Sequence, residues 1–311
     1  MKKKSLVLVA GLLALVALAS CSKESGPDMP IVGENNGISF SSNITNRNPG
    51  SRASGGTWAK SDPIGVYMFK ETGTTLLEEN IKYLAEEGGA SVSFKPEGNS
   101  IFFPDDDNTE VTFMAYYPYK AGVTNIYSVD VSSQTNQSAI DLLYSFDEVT
   151  TYNKYSQNVD KTIPLQFTHM LSQIKINLTK GAGLNNLDGV TVSLKGMKTK
   201  ADFDLFNGLL NELKEEAVII PLLSTNNSYE AIVLPDNIQN NAEIVITLER
   251  KEGEGEEEKT YTDRFFWTFN NDLKASNSYT YNVTVNRTGL VVKGSINEWI
   301  TENNGHSVSA E

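Results

Sequence analysis

The chain has 311 residues and carries 39 acidic against 26 basic side chains, which gives a formal net charge of −13. This acidic balance argues against a nucleic-acid-binding protein, because phosphate binding needs a basic face. The length is typical of two domains, and a chain of this size buries enough surface to fold without disulfides or a structural metal.

The first twenty residues are predicted to be a secretory signal peptide. A charged start, MKKK, precedes the apolar run SLVLVAGLLALVALA, which is short for a transmembrane helix. Cys21 is the single cysteine of the chain, and Leu18–Cys21 has the sequence LASC, which resembles the lipobox of bacterial lipoproteins. An unmodified cysteine is the alternative, but a lone thiol is a liability in an exported chain. We therefore expect Cys21 to carry acyl chains that anchor the protein to the outer membrane.

The segment after the lipobox predicts a tether followed by a strand. Residues 21–36 lack periodicity and contain Gly, Pro and Asn, as linkers do. The stretch ISFSSNI then alternates, which predicts a half-buried strand with Ile38, Phe40 and Ile44 on its apolar face. The Gly- and Ser-rich stretch TNRNPGSRASGG (Thr45–Gly56) follows as a loop that contains Arg47 and Arg52.

Strand patterns recur at short spacing through the rest of the chain. Many short strands separated by polar turns predict an all-β fold of sandwiches or barrels. A short helix is predicted only at Leu76–Glu87, and the acidic segment Lys251–Lys259 is predicted to be a solvated hairpin loop. The predicted strands are Ile64–Phe69, Val92–Phe94, Val111–Tyr117, Tyr127–Val131, Ile163–Phe167, Gln173–Leu178, Val190–Leu194, Ala217–Ile220, Tyr229–Leu234, Glu243–Leu248, Thr260–Phe269, Tyr279–Val285 and Val291–Ile296.

A faint internal repeat suggests two similar halves. Ile101–Phe113 and Ile232–Ile246 both contain an apolar triplet, Pro-Asp, a polar loop and an alternating strand. Chance similarity between two hairpins is the alternative. The repeat predicts two β-sandwich domains, residues 37–160 and 161–311, with the boundary in Thr151–Lys161.

The residues that carry chemistry predict a protein that is not an enzyme and has no metal or cofactor. His169 is predicted to be a strand residue with a structural hydrogen bond, and His306 lies in a polar tail, so neither is framed as a catalytic base. Ser172–Lys175 matches S-x-x-K, but its surroundings alternate like a strand, which separates the two side chains. Asp105–Asn108 resembles the start of a calcium loop without its glycine and distal glutamate.

The aromatic motif FMAYYPY allows two interpretations. Phe113, Tyr116, Tyr117 and Tyr119 could stack on sugars, which would fit a monomeric glycan-binding surface lipoprotein. They also alternate along a predicted strand, and this favours packing in the core for at least half of them.

The order of these motifs resembles the fimbrillin-like family of bacterial lipoproteins, the subunits of type V pili. The resemblance covers most of the chain after the lipobox. It is carried by the lipobox and by three segments, WAKSDPIGVY (Trp58–Tyr67), FMAYYPY (Phe113–Tyr119) and FTHMLS (Phe167–Ser172). It implies two tandem transthyretin-like β-sandwich domains and a role as a fimbrial subunit in adhesion at the outer membrane and cell surface.

The resemblance also implies that other pilus subunits and an arginine-specific protease are partners. In that scheme the protease cuts after the first strand, the strand leaves, and a strand of the next subunit takes its place. Arg52 is the preferred cleavage site because the small Ala53 follows it, whereas Pro49 restricts the backbone after Arg47.

A subunit of this kind also needs a segment to donate. The stretch TENNGHSVSAE has only Val308 and Ala310 as apolar residues, so it is a poor candidate. The strand pair Leu290–Ile300 is the alternative donor.

Overall fold

The computed structural model describes residues 37–44, 57–71, 75–106, 108–155, 162–237, 242–253, 258–268, 272–298 and 308–309. Within these ranges the chain is built from strands, with one short 3-10 helix at Gln137–Ala139. None of the described residues forms a helix that is long and apolar enough to cross a membrane. The predicted all-β fold is confirmed.

The strands of the structure overlap every predicted strand and include further strands that the pattern did not predict. Their bounds are β1 Ser39–Ile44, β2 Pro63–Lys70, β3 Thr75–Ala85, β4 Ser91–Pro96, β5 Val111–Tyr117, β6 Ile126–Asp130, β7 Leu143–Phe146, β8 Thr162–His169, β9 Ser172–Lys180, β10 Thr191–Asp204, β11 Leu209–Ile219, β12 Leu222–Thr225, β13 Ser228–Val233, β14 Asp236–Asn237, β15 Glu243–Glu252, β16 Lys259–Thr268, β17 Asp272–Leu273, β18 Asn277–Asn286, β19 Gly289–Glu298 and β20 Val308–Ser309.

The helix predicted at Leu76–Glu87 is wrong, because this segment is strand β3. Asn80 has a φ of 51°, and the register between β2 and β3 shifts close to it. Such a bulge moves the inward-facing positions by one residue, so the two halves of the strand alternate out of phase. The combined pattern therefore imitates the period of a helix.

The N-terminal strands close into a barrel in the order β1-β4-β3-β2-β5-β7-β8. Its interior is apolar and rich in aromatic rings, among them Phe40, Phe94, Phe113 and Phe167. β8 follows the predicted boundary at Thr151–Lys161, yet it pairs with β1 and β7, so the N-terminal sheet continues to the end of β8. The division into two domains itself stays a prediction.

The C-terminal strands form two sheets that share one apolar core. One sheet has the order β11-β10-β15-β16 with β6 also paired to β10, and the other has the order β12-β13-β9-β18-β19-β20. β14 and β17 form a separate two-stranded pair. β15 and β16 are a hairpin that pairs out to Glu252 and Lys259, so the acidic segment between them is the predicted hairpin connection.

A third core joins the barrel to the C-terminal sheets, and we call it the joint core. It contains Tyr67 and Tyr116 from the outer face of the barrel together with Phe203 and Ile232 from the C-terminal sheets. β2 and β5 are consequently buried on both faces, which explains their nearly continuous burial.

Gln134 stabilises the joint core by making backbone hydrogen bonds of the kind that a neighbouring strand would make. β12 pairs with β13 only from Ser228 to Glu230, so the next part of that edge is open. There the Gln134 amide donates to the Ile232 carbonyl at 2.8 Å and accepts from the Ile232 N–H at 2.8 Å. Gln137 donates to the Glu230 carbonyl at 2.9 Å. Two buried glutamines thus provide hydrogen bonds to backbone groups that would otherwise be left without partners.

We expect Gln134→Ala to lower the free energy of unfolding by about 2–4 kcal/mol, because it strands both backbone groups of Ile232 in the interior. Chemical denaturation measures this change. Gln166→Ala is the matched control, since Gln166 lies exposed on β8 and should change stability by less than about 0.5 kcal/mol. Equal effects of the two substitutions would contradict the role given to Gln134.

Candidate functional site

The candidate site is the gap between β4 and β8 that β1 fills, and we call it the β1 slot. β1 pairs antiparallel with β4, with Phe40 opposite Phe94. It pairs parallel with β8, with Phe40 opposite Ile163. Among the described strands, β1 is the link that joins β4 to β8 in the barrel. Removal of this strand would therefore separate β4 from β8 and open the barrel.

The inward face of β1 inserts apolar side chains into the barrel. Ile38 and Phe40 are 2% and 0% exposed. The Phe40 ring meets the rings of Tyr83 and Phe113 edge to face, with centroids 4.9 and 5.2 Å apart. Two of the three residues predicted for the apolar face thus lie in the core. The backbone of the third, Ile44, lies opposite Phe167, and its side chain lies outside the described part of the structure.

Ser42 occupies an inward position that was not included in the predicted apolar face. It is 1% exposed and lies between Val92 of β4 and Leu165 of β8. Its Oγ has no hydrogen-bond partner among the described residues. The alternation of positions 38, 40, 42 and 44 was the signal that could have revealed its burial.

A tyrosine holds the start of β1 through a polar contact inside the core. The Tyr83 hydroxyl donates to the Ile38 carbonyl at 3.0 Å and accepts from the Ile101 N–H at 3.1 Å. The Ile38 N–H donates to the Ile101 carbonyl at 2.8 Å. Burial raises the pKa of Tyr83, so the hydroxyl stays protonated and able to donate. Sequence reasoning missed Tyr83 because it lies in the segment predicted as a helix.

Trp58 anchors the chain after Thr45–Gly56, the predicted loop that contains Arg47 and Arg52, which we call the arginine loop. It is 2% exposed, and its ring meets those of Phe94, Tyr117 and Phe167 at centroid distances of 5.1–5.3 Å. Its backbone exchanges two hydrogen bonds with Gly89, at 2.8 and 3.0 Å. The chain is therefore anchored in the barrel core before β2 begins.

The predicted lipidation and cleavage residues lie outside the described residues. Cys21 falls in residues 1–36, and Arg47 and Arg52 fall in residues 45–56. The described ends on either side of the arginine loop are Ile44 at the end of β1 and Thr57 before Trp58. His306 also lies outside the described ranges.

The other residues singled out for chemistry have structural roles. His169 is fully buried at the end of β8, and its Nδ1 lies 3.0 Å from Asp141 Oδ1, which is the predicted structural hydrogen bond. Ser172 and Lys175 lie on β9, and the Ser172 hydroxyl donates to the Lys274 carbonyl. Three residues apart on a strand, the two side chains point to opposite faces. They do not form the S-x-x-K pair, which requires a helix.

The acidic turn at Asp105–Asn108 is stabilised by hydrogen bonds within the turn. Asp106 accepts from the Asn108 N–H at 3.1 Å and from the Thr109 hydroxyl at 3.0 Å, which is the geometry of a side-chain-stabilised turn. Among the residues that the structure describes, no group of three or more His, Cys, Asp or Glu side chains is placed to hold a metal ion.

The aromatic motif belongs largely to the core. Phe113, Tyr116 and Tyr117 are at most 4% exposed, so they offer no surface on which a sugar could stack. Tyr119 is half-buried, with the Lys82 ammonium 5.4 Å from its ring centroid. The glycan-binding alternative therefore loses three of the four residues on which it depended.

We expect Tyr83→Phe to make local opening of β1 more frequent. The substitution removes the hydroxyl that donates a hydrogen bond to the Ile38 carbonyl. The measurement is hydrogen exchange of the Ser39–Ser42 amides. We expect exchange there to rise about tenfold, from a cost of about 1–2 kcal/mol.

Tyr229→Phe is the control for this prediction. It loses a similar hydroxyl, which donates to the Val190 carbonyl at 2.9 Å, far along the chain from β1. Exchange of the β1 amides should be unchanged in this variant. If both variants accelerate it equally, the Tyr83 hydroxyl is not a specific anchor of β1.

Comparison with known proteins identifies the family. The fimbrillin-like family model matches residues 51–299, a range that includes β2 to β19. A Bacteroides uniformis protein assigned as the fimbrium subunit Fim1C is 30% identical over 317 residues, which cover 98% of this chain and 98% of that protein.

Solved structures agree with this match. A Bacteroides uniformis protein assigned to cell adhesion aligns with a TM-score of 0.67 at 26% identity, over 85% of this chain and 98% of that one. A Bacteroides ovatus protein with the same assignment aligns with a TM-score of 0.62 at 21% identity, over 87% of this chain and 100% of that one, and so shares the fold. From the extent of the family match and the identity to a relative along its full length, the chain belongs to the fimbrillin-like family.

Proposed function

We propose that this protein is a fimbrial subunit that acts in adhesion at the bacterial cell surface and assembles by exchange of its first strand. The observation that carries the proposal is the β1 slot. One short strand closes the barrel, and the loop that connects it to the rest of the chain contains Arg47 and Arg52. The similarity to a protein assigned as a fimbrium subunit supports the same role.

Strand exchange follows from what the slot would expose once it is empty. β4 and β8 would each present an unpaired backbone edge, and the aromatic and aliphatic side chains under β1 would meet water. These are the two components of strand addition, since main-chain hydrogen bonds give affinity and pockets at alternate positions give specificity. While β1 is in place, it also protects these edges from premature pairing. A strand donated by another subunit would restore both sets of contacts.

Cleavage in the arginine loop would act as the trigger. A cut after Arg52 separates Cys21 and β1 from the remainder of the chain in one step. The anchor formed by Trp58 lies six residues downstream and stays with the barrel. The lipid on Cys21 would thus hold the precursor at the outer membrane, and an arginine-specific protease would release a subunit ready to polymerise.

We expect Arg52→Ala to block assembly while leaving the fold intact, because a loop side chain contributes little to stability. Arg47→Ala is the matched control and should still assemble. The test treats each full-length variant with an arginine-specific protease, looks for SDS-resistant ladders and sequences the new N-terminus.

A new N-terminus at Ala53 in the wild type and in Arg47→Ala, with ladders in both, supports the proposal. Ladders from Arg52→Ala would show that this residue is not the trigger. If cleavage is complete and no ladder forms, even after the cleaved chains are mixed with uncleaved ones, the result would argue against strand exchange.

A further inference from the structure

We infer that the β1 slot is shaped for a strand with an aliphatic side chain at the position of Ser42. β1 therefore fills the slot less favourably than such a strand would. The inference rests on the proposed strand exchange and names the chemistry of the incoming partner. That partner is a strand of another subunit with apolar residues at all four alternate inward positions.

The first observation is the buried hydroxyl of Ser42. The side chain is 1% exposed, and its Oγ has no hydrogen-bond partner among the described residues. A hydroxyl in this situation is removed from bulk water without a partner among the described residues, which opposes burial of the strand. The other inward side chains described on β1, Ile38 and Phe40, are apolar and carry no such penalty.

The second observation is the apolar character of the walls around Ser42. Val92 of β4 and Leu165 of β8 lie directly opposite it in the two ladders, and each is 3% exposed. Neither side chain can donate or accept a hydrogen bond. This part of the slot therefore matches a valine or isoleucine better than it matches a serine.

The third observation is free space next to one of these walls. Leu165 also lines a cavity of about 240 Å³, together with apolar residues such as Phe113 and Ile163 and polar residues such as Ser145 and Gln166. The cavity lies where β7 and β8 separate, since their pairing includes only Leu143 with His169 and Tyr144 with Thr168. Because this space borders Leu165, we expect Leu165 to shift toward it when a larger side chain replaces Ser42, which would reduce the overpacking that a tight core resists.

These features give exchange a direction. A donor strand can replace β1 only to the extent that it binds the slot more favourably than β1 does. Replacement of an unpaired hydroxyl by an aliphatic group supplies such a difference at one position without any change to the backbone ladders. The serine leaves β1 well enough packed to complete the precursor and weak enough to be displaced.

The first test compares Ser42→Ala with Ser41→Ala in the full-length chain. Both substitutions delete one hydroxyl from the same strand, but Ser41 lies half-buried on the opposite face. We expect Ser42→Ala to lower the unfolding equilibrium constant about tenfold, which corresponds to about 1.4 kcal/mol, and Ser41→Ala to change it by less than about twofold. A Ser42→Ala chain no more stable than Ser41→Ala overturns the inference, whether or not strands exchange.

The second test measures uptake of strand peptides after the arginine loop has been cut. The probes are labelled peptides of residues 37–44 that carry Ser42→Val or Ser41→Val, so the two have the same composition and differ only in the face that holds valine. We expect the Ser42→Val peptide to bind about tenfold more tightly than both the Ser41→Val and the unchanged peptide. Equal or weaker binding overturns this inference but leaves strand exchange standing. If no peptide enters, strand exchange fails and this inference falls with it.

Discussion

The closure of the N-terminal barrel by β1 is the constraint on which the barrel core depends. β4 and β8 are joined through this one strand, so the hydrogen bonds on both edges of β1 and the burial of Phe40 decide whether the barrel core is sealed. The other barrel strands also pair with one another, and they all follow β1 in the sequence. This closing strand is the one nearest the start of the described chain, and Thr45–Gly56, which contains Arg47 and Arg52, connects it to the remainder.

The contacts of β1 combine strong and weak positions within a few residues. Phe40 packs between two aromatic rings, and Tyr83 binds the Ile38 carbonyl, so the first part of the strand is well anchored. Immediately afterwards, Ser42 contributes a buried hydroxyl that has no partner among the described residues. A strand built only for stability would carry an aliphatic residue there, because burial of a methyl group is favourable and burial of an unpaired hydroxyl is not. This combination is expected of a segment that completes the fold and is later removed.

The sequence predicted the all-β fold and the alternation of β1, since period-two patterns depend on local residue type. It could not predict β3, because the bulge at Asn80 shifts the alternation and its cause lies in pairing with β2. The alternation of β1 includes Ser42, which the prediction left unassigned and the structure buries. The role of Gln134 was invisible for another reason, since it depends on where β12 stops pairing with β13, nearly a hundred residues further along the chain.

The joint core explains how the barrel could lose a strand and keep its shape. β2 and β5 direct Val66 and Phe113 into the barrel, and they direct Tyr67 and Tyr116 outward against the C-terminal sheets. None of the residues in the joint core comes from β1, β4 or β8. The wall opposite the β1 slot is therefore held from outside by contacts that do not depend on β1. An opened barrel would retain this backing, so the edges of β4 and β8 would stay positioned to receive another strand without a search through collapsed states.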